Sequence, residues 1–167
     1  GTQVPSFFLL KMITKEKVIA LAEDRLEELG NDNYLVQVTI SSKNHIKVIM
    51  DNLHSGVSIN DCMSVSRNIE HNLDRSVEDF QLEVTSPGLD QPFVVDQQYV
   101  KNIGRNLQVT THDDQIVKGE LVKVNDSAIS LVEHKTPKNN KSKKMIVGDT
   151  IFIDKSKIKE SKLIISI

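Results

Sequence analysis

Apolar residues in the first half of the chain follow two different periods. Val18, Leu21, Ala22, Leu26 and Leu29 recur at helical spacing, which predicts an amphipathic helix of about four turns. Thr14 is placed to cap it, Ile13 and Val18 to staple the incoming chain, and Gly30 to stop it. The period then shortens to two. Tyr34, Val36, Val38 and Ile40 mark one strand, and after a polar turn at residues 41–44, Ile46, Val48 and Met50 mark another, so a hairpin is expected. Beyond a loop at residues 51–56, Ser58 followed by Asp61 signals a second helix start, with Ile59, Cys62, Ser66, Ile69 and Leu73 on one face. Phe80, Leu82 and Val84 alternate with Gln81, Glu83 and Thr85 as a third strand. The order α-β-β-α-β buries two helix stripes on one face of a three-stranded sheet.

That third strand ends in a corner made of Ser86, Pro87, Gly88, Leu89, Asp90 and Gln91. Pro87 presets φ for the second position of a turn, Gly88 is expected to supply the positive φ of a type II turn, and Pro92 excludes a central strand just beyond. After Pro92 the pattern changes to short strands at 106–111, 116–124, 127–133, 145–153 and 163–167, with Asp113-Asp114 and Asn125-Asp126 as turns. Gly119 inside a strand marks a bend. This predicts an SH3-like or Sm-like β-barrel. The expected organisation is α+β: a frayed, partly artificial leader at 1–11 that begins with Gly1 rather than Met, an N-terminal α/β domain at 12–91 and a C-terminal barrel at 92–167.

Charge separates the two halves. Residues 1–91 hold 14 Asp and Glu against eight Lys and Arg, whereas residues 92–167 hold nine against 13. A basic segment at 135–144, with Lys135, Lys138, Lys141, Lys143 and Lys144, reads as an exposed loop able to approach phosphate, an electrostatic handle without base specificity. Aromatic content of 4% without Trp leaves Tyr99 and Phe152 as the barrel's stacking candidates.

Enzyme signatures are missing: the chain has no G-x-S-x-G elbow, no H-E-x-x-H, no phosphate-binding glycine loop and no G-x-G-x-x-G. Ser86 has no neighbouring base in the sequence, His45, His54, His71, His112 and His134 are scattered on polar stretches, and Cys62, the single cysteine, reads as a small buried hydrophobe. No metal site, cofactor or membrane span is expected.

Two stretches, GVSINDCMSVSRNIEHNLD at 56–74 and LEVTSPGLDQPF at 82–93, closely resemble the paired signatures of the RimP family of bacterial ribosome maturation factors. The resemblance implies a cytoplasmic, non-enzymatic, monomeric assembly factor. It would bind the free small (30S) ribosomal subunit through its rRNA and a small-subunit ribosomal protein. It also implies an α/β domain followed by an Sm-like barrel. The family usually has Arg where this chain has Gln91 and Leu where it has Phe93, so a cationic contact at the corner is missing here. The alternative is a stand-alone Sm-like RNA binder or RNA chaperone, in which the first half only supports the barrel.

Overall fold

A computed structural model of the protein describes residues 13–135 and 146–165. Helix α1 (Lys15–Leu29) begins where Thr14 Oγ1 accepts a hydrogen bond from Lys17 N, and it ends as Gly30, at φ 63°, donates its N–H to Leu26 O. Strands β1 (Asn33–Ile40) and β2 (His45–Asn52) pair antiparallel, and β3 (Gln81–Thr85) adds parallel to β2. A parallel neighbour needs a crossover, which α2 (Ile59–Asn72) supplies. Among the described residues the sheet order is β1-β2-β3, leaving β3 at an edge. Val18, Ala22 and Leu26 of α1, Val65 and Ile69 of α2, and Val38, Ile46, Val48 and Met50 of the sheet form one core. The other sheet face presents Gln37, Thr39, Lys47 and Glu83 to solvent.

Two sequence expectations fail within this region. The loop expected from residue 51 begins later, because β2 runs on through Asp51 and Asn52, paired with Tyr34 and Asn33. Polar residues hold that end: Tyr34 Oη donates to Asp51 Oδ2 at 3.3 Å, and Asn52 Nδ2 donates to Asn33 Oδ1 at 2.9 Å. On α2 the buried stripe is Val65, Ile69 and Leu73, not one that includes Ile59 and Ser66, and Ile59 is 79% exposed. Positions four apart set the inward face, and Ile59 belongs to the neighbouring stripe.

The chain divides into two compact units, Gly1–Pro87 and Gly88–Ile167. In the second, a six-residue helix α3 (Asp96–Lys101) precedes β4 (Asn106–Thr111), β5 (Ile116–Val124), β6 (Ala128–Lys135), β7 (Ile146–Asp154), a 3-10 turn at Lys155–Lys157 and β8 (Ile158–Leu163). All pairings are antiparallel, in the order β7-β6-β5-β4-β8. No pairing joins β7 to β8 among the described residues, so the sheet is open where a closed barrel was expected. Leu107, Val109, Leu121, Ile129, Leu131 and Ile153 form its core together with Tyr99.

Among the described residues the last strand lies at Ile158–Leu163 and does not continue into Ile164 and Ile165, while residues 166 and 167 of the expected 163–167 strand lie outside the described residues. The buried centre of Ile158–Leu163 is Ser161, 2% exposed, which a hydrophobic pattern cannot flag; Tyr99 Oη donates to Ser161 Oγ at 2.7 Å and satisfies it. Helix α3 went unforeseen for a similar reason, since a polar side chain, Gln98, starts it by accepting from Val95 N at 3.0 Å. Tyr99, proposed for stacking, is committed to this core and packs edge-on against Phe93 at 5.1 Å. Gly119 admits the backbone of β6: a Cβ there would stand 2.7 Å from Val132 O.

Candidate functional site

The corner residues are not built as the type II turn expected of them. Positive φ occurs at Gly30 and Gly104 but not at Gly88. Gln91 N instead donates to Gly88 O at 3.2 Å, which makes Gly88 the first residue of a turn with Leu89 and Asp90 at its centre. Glycine is not required at that position, since a Cβ would meet only the side chains of Asp90 and Gln91, at 3.1 and 3.2 Å. Pro87 closes the first unit, half-buried. Asp90 and Gln91 are exposed. Leu89, 66% exposed, lines a groove of about 330 Å³ in the second unit with Arg105, Leu163, Ile164 and Ile165.

Ser86 has different company. It lies with Val84 and Thr85 along a groove of about 300 Å³ whose other wall is Val57, Ile59, Cys62, Met63 and Ser66. The two stretches singled out in the sequence therefore meet at one surface of the first unit. The remaining residues of the first stretch build that surface. Ser58 Oγ caps α2 by accepting from Asp61 N at 3.0 Å, and Asp61 Oδ2 accepts from Asn33 Nδ2 at 2.8 Å, tying the helix start to β1. Asn68 Nδ2 donates to Leu21 O at 2.8 Å and Arg25 Nη1 to Ser64 Oγ at 3.1 Å, locking α2 to α1. Asp74 closes the following turn by accepting from Ser76 Oγ and from Ser76 N, the latter at 2.9 Å, and these bonds, the hydroxyl's first, hold its carboxyl below its usual range.

Sequence reasoning brought Ser86 and Cys62 into view but missed the groove. Its signal was present: Ile59 and Met63 are apolar, four residues apart and off the inward stripe, and Met63 is 44% exposed. Chemically the groove is mostly apolar, with the Cys62 thiol and the hydroxyls of Ser66, Thr85 and Ser86 among its lining. Burial first, and then the charge of Asp61, push the Cys62 thiol up, which opposes thiolate formation. No group of three or more His, Cys, Asp or Glu could hold a metal among the described residues. No described helix is long and apolar enough to cross a membrane.

Of the proposed phosphate-binding lysines, Lys135 ends β6 by backbone pairing with Ile146, and Lys138, Lys141, Lys143 and Lys144 lie outside the described residues, as does the 1–11 leader. Phe152 on β7 is 75% exposed, in the cross-strand row Lys123–Ser130–Phe152.

A family model for the RimP N-terminal domain matches residues 21–90. A protein named ribosome maturation factor RimP from Christiangramia forsetii is 44% identical over 150 residues, covering 89% of this chain and 96% of that protein. Proteins of the same name from Flavobacterium psychrophilum and Porphyromonas gingivalis are 40% and 36% identical, over 72% and 80% of this chain and 76% and 87% of their own lengths.

Proposed function

The chain belongs to the RimP family, and on that premise we propose that it is a cytoplasmic, non-enzymatic ribosome maturation factor that binds the immature free small subunit. The observation that carries this reading is the meeting of Val57–Ser66 with Val84–Ser86 at one apolar groove, a surface suited to docking and unsuited to bond-breaking. The first domain, at 12–91, engages a basic small-subunit ribosomal protein by charge complementarity. The second, at 92–167, approaches rRNA phosphate through Lys135, Lys138, Lys141, Lys143 and Lys144. The corner at Ser86–Gln91 contributes a partner contact, without the cation that Gln91 replaces. The protein acts as a monomer.

An Sm-like barrel is the finer fold we assign to the second domain. Register shifts at Thr110/Thr111, Leu121/Lys123 and Val132/His134 are devices that bend a sheet toward closure, and Gly119 and Gly148 let neighbouring backbones approach. A second reading, a stand-alone RNA binder, draws on exposed Phe152 alone.

Cosedimentation with purified free small subunits tests the main reading. The chain should travel with immature subunits and leave them as salt rises, and cells lacking it should accumulate fewer mature small subunits. Unchanged profiles without comigration would overturn it. Reversing Lys141, Lys143 and Lys144 together should flatten the salt dependence of binding. For the second reading, Phe152→Ala would abolish binding of short single-stranded RNA while leaving subunit binding unaltered.

A further inference from the structure

The groove of the first unit is continuous with an unpaired strand edge. β3 hydrogen-bonds to β2 on one side only among the described residues, so its other side offers backbone donors and acceptors to a further strand. Free edges are a hazard that folded proteins blunt with lysine, proline or bulges. β3, Gln-Leu-Glu-Val-Thr, carries no lysine and no proline, and its pairing with β2 runs without a register shift. The proline that ends it, Pro87, falls two residues beyond. The edge is therefore left open along the strand and closed just after it.

Beside the end of that strand lies an apolar wall that the core does not use. Ile59 and Met63 are 79% and 44% exposed although they sit on a helix whose inward face is already complete with Val65 and Ile69. Val57 and Cys62 continue the wall half-buried, and Val84 faces it from β3. An edge of backbone groups beside a pocket for apolar side chains is the arrangement by which sheets capture extended peptides. The main chain supplies register, and alternate side chains enter the pocket.

Charge selects among extended partners. The described residues of this unit, 13–87, hold 13 Asp and Glu against seven Lys and Arg. The negative field reaches the groove itself, since Asp61 acts on the Cys62 thiol. An acidic segment would be repelled and a basic one drawn in.

We infer that an extended, lysine- and arginine-rich segment of a partner protein adds as a strand to the free edge of β3 and seats apolar side chains on Val57, Ile59 and Met63. This rests on the proposed docking to a basic ribosomal protein and specifies how that protein is held. The segment is extended rather than helical, because an unpaired strand edge rewards only a backbone with free hydrogen-bonding groups.

The test uses the full chain and a nine-residue synthetic peptide of alternating lysine and valine. By NMR the peptide should shift the amides of Leu82–Thr85 and the methyls of Ile59 and Met63. A peptide of alternating glutamate and valine should shift none of them. A lysine–valine peptide with proline at alternate positions keeps charge and apolarity but loses backbone donors, so it should bind at least about tenfold more weakly. Ile59→Asp alters an exposed position, leaves the fold intact and should weaken binding about tenfold or more. Shifts confined to other residues, or equal binding by the proline peptide or by Ile59→Asp, would overturn the inference. Cosedimentation separates this failure from that of the family reading. If wild type and Ile59→Asp both travel with free small subunits equally well, only strand addition is wrong; if neither travels, the ribosomal reading fails as well.

Discussion

Residues up to Pro87 and residues from Gly88 onward bury a sheet in opposite ways. In the first unit two helices of 15 and 14 residues cover one face of three strands, and the second of them has apolar residues to spare. Among the described residues the second unit has a single six-residue α-helix for five strands, and its core comes almost wholly from alternate strand positions. A helix layer leaves an outer stripe free to vary, and Ile59 and Met63 occupy it. The second unit turns a more mixed set outward: beside Lys118 and Lys123 stand Val94, Val100, Ile116, Val122 and Phe152. The first unit thus sets Ile59 and Met63 four apart on one helix, whereas the second mixes its exposed apolar residues with lysines.

Two residues of one helix should break this comparison most sharply. Ile69 is fully buried, so Ile69→Ala should cost about 2–5 kcal/mol, whereas Ile59→Ala should stay within about 0.5 kcal/mol because exposed positions carry little packing. The two tyrosines, Tyr34 and Tyr99, fall one in each unit, so fluorotyrosine labelling during urea unfolding reports each unit separately. Ile69→Ala should shift the Tyr34 signal by the larger amount; an equal shift for Ile59→Ala would mean that the exposed stripe is structural. Next in size is the pair of glycines. Gly119→Ala forces a Cβ against Val132 O and should destabilise the second unit by about 1–3 kcal/mol. Gly88→Ala meets only movable side chains at ordinary φ and should change the Tyr99 midpoint little.

What was legible in the sequence follows the same division. Periodicity located α1, β1, β2, α2 and β3, because each hides apolar residues on one side and starts with recognisable chemistry at Thr14 and Ser58. The two stretches that line the groove were paired by the family resemblance, not by periodicity. Periodicity failed where burial is achieved by polar residues. Ser161 at the centre of β8 and Gln98 in α3 are both buried and hydrogen-bonded, and Ile164 and Ile165, which looked like strand, follow it exposed. The turn at Gly88 was misread because Pro-Gly fits several turns, and only the Gly88 O to Gln91 N hydrogen bond distinguishes them. The groove was missed because a helix read for its inward stripe offers no reason to ask what a second stripe is for.

Tyr99→Phe tests the polar part of the second core. It removes the only hydroxyl seen to satisfy Ser161 Oγ among the described residues, in a strand centre that is 2% exposed, and should cost about 1–2 kcal/mol by circular dichroism-monitored unfolding. Tyr99→Phe together with Ser161→Ala should recover part of that loss, since no buried polar group is then left unpaired. A double variant no better than the single would show that the ring's position, rather than the hydrogen bond, matters.

The smallest expected effect is one on which the two units should agree. Asp74 in the first is held below the usual carboxylate range chiefly by the Ser76 hydroxyl, and Asp113 in the second chiefly by the Thr111 hydroxyl. A carboxyl depressed in the folded state binds its proton more readily when unfolded. Its contribution is therefore present above the ordinary carboxylate pKa of about 4 and is lost as pH falls through the lower folded value. Both groups are fully exposed, so the effect is a modest decline in both fluorotyrosine midpoints below that pH. Ser76→Ala should shallow the decline for Tyr34 alone and Thr111→Val for Tyr99 alone. If either substitution shallows both, acid unfolding couples the units, and the division at Pro87 is not a boundary of stability.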